Sequence, residues 1–166
     1  MFGFSYNSAN CTSREVRSLR PVLKLLAGDY YSYEERANRS GGSPHCRLCS
    51  AEGEDDPQVE NIEHIVTKCV GTEMVRMKLM PDIISATSSA KSEVDISGIF
   101  DNSIVMTQYL LDCTSMNLRN QHRIHINDPA CPLIYSLSRN LLNGIHQERI
   151  RKLKNLEIQH SQPSTS

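Results

Sequence analysis

The sequence predicts a mainly α-helical small domain with irregular loops and few or no strands, clipped by a metal site. Three observations predict it. Apolar residues recur at helical spacing in several stretches. The core is lean, with 39% apolar residues in a chain of 166, three Phe and no Trp. Cys46, Cys49, His64 and Cys69 are spaced C-x2-C-x14-H-x4-C. Thiols two residues apart grip one ion from a tight turn, and an imidazole and a third thiol close the tetrahedron. This Cys3His set and its two-pair arrangement are those of a structural zinc site, so Zn2+ is the expected cofactor. A lean core gains from such a staple, because metal binding orders a loop too poor in apolar surface to fold alone.

The chain divides into an N-terminal helical, basic segment (1–43), a finger with its following helix (44–80), a polar linker (81–94), a C-terminal helical segment (95–160) and a disordered tail (161–166). Residues 12–27 read as a helix. Thr12 and Glu15 have capping-box spacing, and Val16, Leu19, Leu23 and Leu26 share a face. Pro21 kinks or restarts it, and Gly28 stops it. Tyr30, Tyr31 and Tyr33 follow, read as packing residues, and 38–44 form a loop.

Within the finger, the acidic insert Ala51–Gln58 is an exposed loop. A short helix over Glu60–Lys68 presents His64. His45 adjoins Cys46 too closely to share the ion and stays outside the shell. Met74, Met77, Leu79 and Met80 continue in a helix that ends near Pro81. The polar run 85–93 is a linker. One or two helices follow from Asp95 to before Ser115, and 117–132 is irregular. Ser138 caps a long final helix whose Leu141, Leu142, Ile145, Leu153 and Leu156 face the core.

The net charge of -1 excludes a global basic field, but the charge is uneven. Lys and Arg outnumber Asp and Glu 7 to 4 over residues 1–49 and 7 to 3 over 119–166, whereas 50–70 carries 1 against 6. The cationic candidates for nucleic-acid contact are therefore Arg47 and Lys68 in the finger, Arg17, Arg20 and Lys24 in the first helix, and Arg149, Arg151, Lys152 and Lys154 in the last. Leu48, beside Arg47, is expected at the same exposed turn. With three cysteines on the metal, Cys11, Cys113 and Cys131 read as scattered ordinary thiols. No basic and apolar leader and no membrane-length apolar run is present. An intracellular protein, nuclear or cytoplasmic, with no membrane partner is expected.

Several stretches together carry a family resemblance. They are Leu26-Ala-Gly-Asp-Tyr30, Cys46-Arg-Leu-Cys49, Val59-Glu-Asn-Ile-Glu-His-Ile65 with Cys69 and Arg76, and downstream Tyr109–Leu118, Leu137–Asn140 and Ile145–Lys154. They resemble the region C-terminal to the polymerase in non-LTR retrotransposon reverse transcriptases, over about residues 20–156. The resemblance implies a zinc-binding segment that contacts RNA or target DNA beside the polymerase, with other retroelement-derived proteins as partners. The chain has no aromatic-x-Asp-Asp motif and no room for a polymerase palm or an endonuclease. It is expected to be a detached, non-catalytic segment.

Two function classes follow. One is a zinc-binding module that contacts RNA or single-stranded DNA. The other is a structural or protein-interaction zinc module, favoured by the near-neutral charge and the acidic 52–56 loop. No enzyme is expected. The pair His122 and His125 is the nearest thing to a catalytic cluster, and it reads as exposed loop or edge-strand histidines.

Overall fold

The computed structural model describes residues 24, 32–53, 55, 58–90, 94–113, 122 and 128–161. Six helices are labelled here: α1 (Tyr33–Ser40), α2 (Arg47–Ala51), α3 (Glu73–Ser88), α4 (Ile96–Phe100), α5 (Ser103–Leu111) and α6 (Cys131–Ser161). A π-helical turn, His64–Lys68, and a 3-10 turn, Val70–Thr72, lead into α3. Among the described residues there is no β-strand, only an isolated antiparallel bridge between His45 and Val59. The mainly α expectation therefore stands.

α6 is the spine. Its buried residues Cys131, Ile134, Ser138, Leu141, Leu142, Ile145 and Arg149 recur every three or four positions, which places them on one face. The amino-terminal part of that stripe packs on α3 and α5, in a core with Ile83, Ala86, Ile99, Tyr109 and Leu110. α3 approaches closely because α6 offers Gly144 there. A Cβ on Gly144 would lie 3.0 Å from Val75 Cγ1. Leu153 and Leu156 extend the stripe onto a second cluster, built on Cys46, Leu48, Cys49 and Cys69.

Several boundaries differ from the sequence expectation. α3 does not end near Pro81 but runs through it to Ser88, so the expected linker begins inside a helix. Pro81 removes one backbone donor. The turns beyond it are held by burial of Ile83 and Ala86 and by a 2.7 Å bond between the Thr87 and Tyr109 hydroxyls. Tertiary packing outweighs the local proline signal here.

α6 starts at Cys131, not Ser138. Asp128 accepts from the backbone N–H groups of Ala130 and Cys131, and Pro132 sits in the first turn, where its missing donor costs nothing. Ser138 is buried in mid-helix. α1 extends through Ser40, shortening the expected loop, and Gly41 and Gly42 leave it at positive φ.

Residues 95–111 form two helices, capped by Asp95 on the Gly98 N–H and by Asn102 on Ile104 and Val105. His122 is helical and buried, with Asp95 3.5 Å from its Nδ1, rather than exposed on a loop. The predicted helix at 12–27, apart from Lys24, lies outside the described residues, as do Tyr30, Tyr31, Cys11, His125 and the tail.

Candidate metal centre

The base of the knuckle is set by backbone pairing. Cys46 N–H donates to Gln58 O at 3.0 Å, and Glu60 N–H to Pro44 O at 2.9 Å. This pinches the acidic insert into a loop and leaves Cys46 at the entry to α2. One turn of α2 then brings Cys49 back beside Cys46.

The second ligand pair depends on the π turn. Five residues along an α-helix rotate a side chain by about 500°, to the far face. Here Cys69 N–H bonds instead to His64 O, five residues back, at 2.8 Å. One turn absorbs the whole H-x4-C spacing, so His64 and Cys69 come to the same side. Asn61 Oδ1 accepts from His64 N–H at 2.8 Å and fixes the start of the turn. Cys69 then leaves it in extended conformation, at φ -55° and ψ 117°.

All four ligand atoms lie within 4.8 Å of one another, and all four residues are buried. Cys46 Sγ is 3.7 Å from Cys69 Sγ, Cys49 Sγ is 3.9 Å from Cys69 Sγ, and Cys49 Sγ is 3.4 Å from His64 Nε2. None of the thiols is in a disulfide. A tetrahedral ion with thiolates at about 2.3 Å has S···S edges of roughly 3.8 Å, which the Cys46–Cys69 and Cys49–Cys69 separations match. His45 is exposed and outside the cluster, as expected.

The surroundings divide the three thiols. Cys49 N–H reaches the Cys46 sulfur, and Val70 N–H reaches the Cys49 sulfur. The Cys46 hydrogen bond, reinforced by His64, holds the Cys69 thiol down at about 4. The same bond, and then burial, pushes Cys46 upward, and burial raises Cys49. Arg76 clamps the exit of the knuckle, donating to Cys69 O at 2.6 Å and to Thr72 Oγ1 at 2.8 Å.

Comparison of the chain with protein-family models, curated proteins and solved structures gives no match. The site is therefore read on its own geometry.

The cationic candidates divide sharply. Arg149 is corrected: it is buried and donates to Glu60 Oε1 at 2.5 Å, and Glu60 is itself fully buried. It fastens the knuckle to α6 and is no surface contact. Leu48 is also corrected, since it lies in the knuckle core rather than at an exposed turn.

Lys68 is exposed and pairs with Glu63 at 2.6 Å, Arg151 with Glu148 at 2.6 Å, and Lys152 with Glu52 at 2.6 Å. Arg47 is half-buried, while Lys24 and Lys154 are exposed. Arg17 and Arg20 lie outside the described residues. No helix among the described residues is long and apolar enough to cross a membrane.

The spacing singled out the four residues that the fold brings together. It did not reveal Glu60, Arg76 or the π turn. Glu60 sits in an acidic stretch that reads as solvated, and its partner is 89 positions away.

Gly71 tests how tightly the knuckle closes. A Cβ there would lie 2.6 Å from Leu48 Cβ, an atom that cannot move without its backbone. Gly71→Ala is expected to destabilise the metal-loaded protein by about 1–3 kcal/mol, read from urea midpoints, and to weaken metal binding.

Proposed function

We propose that the chain is a zinc-binding module whose ion is structural, and that it binds RNA or single-stranded DNA, as its resemblance to the C-terminal region of non-LTR retrotransposon reverse transcriptases implies. The observation that carries the zinc part is the buried Cys3His cluster. Four protein ligands fill a tetrahedron and leave no position for an activated water, which supports a role without polymerase or other catalytic activity of its own.

The nucleic-acid part rests on the resemblance and on one placement. Leu153 and Leu156 seat the distal half of α6 on the knuckle, so Arg151, Lys152 and Lys154 border the same small module as Arg47. The ion pairs of Arg151 and Lys152 lie at the surface, where such pairs are weak enough for a phosphate to displace the carboxylate.

A structural or protein-interaction module is the second reading, and the same pairings favour it. Lys68, Arg151 and Lys152 each already have a carboxylate partner.

The deciding experiment titrates zinc-loaded full chain against labelled single-stranded RNA between about 50 and 200 mM salt. Binding with a log–log salt slope of roughly -1.5 to -3, weakened by Arg151→Glu with Lys154→Glu, supports the first reading; it corresponds to about two to four phosphates. No binding at low salt by folded, zinc-loaded protein selects the second.

A further inference from the structure

One face of α3 is apolar and open to solvent. Met74, Met77, Pro81 and Ile84 follow one another at three, four and three positions and share that face. All four are exposed, Met74 to 76% and Met77 to 65%. They lie on the opposite side of α3 from Val75, Leu79, Ile83 and Ala86, which pack in the main core. One apolar face is enough to hold a helix in its fold, and α3 has two. The outer one has the a and d spacing that a partner helix covers.

We propose that this stripe is a pairing surface for a second copy of the chain, with the two α3 helices side by side and parallel. The charges beside the stripe select that partner. Glu73 precedes Met74, Lys78 follows Met77, and both are exposed. With Met74 at a and Met77 at d, Glu73 stands at g and Lys78 at the e five residues on. A parallel pair about a two-fold axis brings g of each helix to that e of the other, so Glu73 meets Lys78 of the second copy, and the contact occurs on both flanks. An antiparallel pair sets e against e and g against g. Lys78 would then face Ser85 and Glu73 would face Met80, with neither charge answered.

Surface pairs of this kind add little affinity and mainly fix direction. The stripe is short, and methionine adapts to an imperfect partner surface. The dimer therefore belongs to the weak, transient class, which buries less than about 1,200 Å2. The surface shares no residue with the cationic candidates on the knuckle and α6, so it stands or falls independently of nucleic-acid binding.

Sedimentation equilibrium of zinc-loaded full chain, from roughly 1 μM to 1 mM, should show a monomer–dimer equilibrium. Met77→Lys should weaken it about tenfold or more. Zinc content and thermal midpoint should be unchanged, because Met77 lies outside the core. Glu73→Lys and Lys78→Glu each set like charges across the pair, and each alone should weaken dimerisation about three- to tenfold. Mixed in equal amounts, these two variants should recover the affinity as a heterodimer, in which both contacts are again opposite in sign. A monomer throughout the range overturns the proposal. So does a dimer indifferent to Met77→Lys, which would sit on another surface. Weakening by Met77→Lys with no recovery in the mixture overturns the parallel pairing.

Discussion

Stripping zinc with a chelator is expected to dissolve the knuckle while the α3–α5–α6 core stands. The two ligand pairs have different supports. His64 and Cys69 flank Ile65 and Val66, which are buried in the main core. Cys46 and Cys49 sit on α2, a five-residue helix too short to persist alone. Their packing partners are Leu48, Cys69 and the distal part of α6. Amide exchange should therefore rise first over residues 44–53, with α3 and the Cys131–Ile145 part of α6 still protected. Cys49→Ser should reproduce this and abolish stoichiometric zinc, since structural zinc sites bind with about 10–16 kcal/mol near neutral pH. Uniform loss of protection across the chain would instead make the ion the nucleus of the whole fold.

The site's proton balance gives this result a pH signature. In the metal-free fold, Cys69 is held down at about 4 and is already a thiolate at neutral pH. Cys46 and Cys49 are raised and carry protons. Were that fold kept, zinc would displace about two protons, and its affinity would rise about a hundredfold per pH unit near neutrality. Because the knuckle is expected to dissolve without the ion, all three thiols start protonated, about three protons leave, and the affinity should rise about a thousandfold per pH unit near neutrality. Calorimetry of zinc binding in two buffers of different ionisation enthalpy separates these cases.

Replacing Arg149 should be the most damaging change that touches no ligand. Its guanidinium is a charge facing Glu60, a carboxylate with no solvent exposure. Arg149→Met leaves that carboxylate buried beside the knuckle, and a loss of about 3–5 kcal/mol is expected in urea denaturation of the zinc-loaded protein. Adding Glu60→Gln should recover much of it, because the double variant buries no charge. A non-additive cycle of this kind identifies a buried pair. Additive losses would mean that the two residues act through separate packing. The result also bears on nucleic acid, since a loss of binding in Arg149→Met would report an unfolded knuckle and not a missing phosphate contact.

What was legible in the sequence follows from the range of the forces involved. The Cys3His cluster was legible because a metal site writes its demands as residue types at short spacings. The helices were legible where apolar periodicity is strong, as in α6. Pro81 misled because its local cost is offset by burial of Ile83 and Ala86 against partners far along the chain. Ser138 has a cap's chemistry, yet Asp128 and Pro132 start the helix two turns earlier. Arg149 reads as one of a basic run on α6. Only the fold shows that it continues the buried stripe while Arg151 and Lys154 turn outward.

The π turn also bears on how the chain tolerates insertion and deletion. By taking five residues into one turn, it gives His64 and Cys69 the relation that residues four apart have on an ordinary α-helix. A version of this chain lacking Thr67 could present the same imidazole and thiol from a regular turn. One that gained a residue there would throw Cys69 off the ion. The knuckle therefore has slack in one direction only, and a histidine and cysteine with three or four residues between them describe the same object.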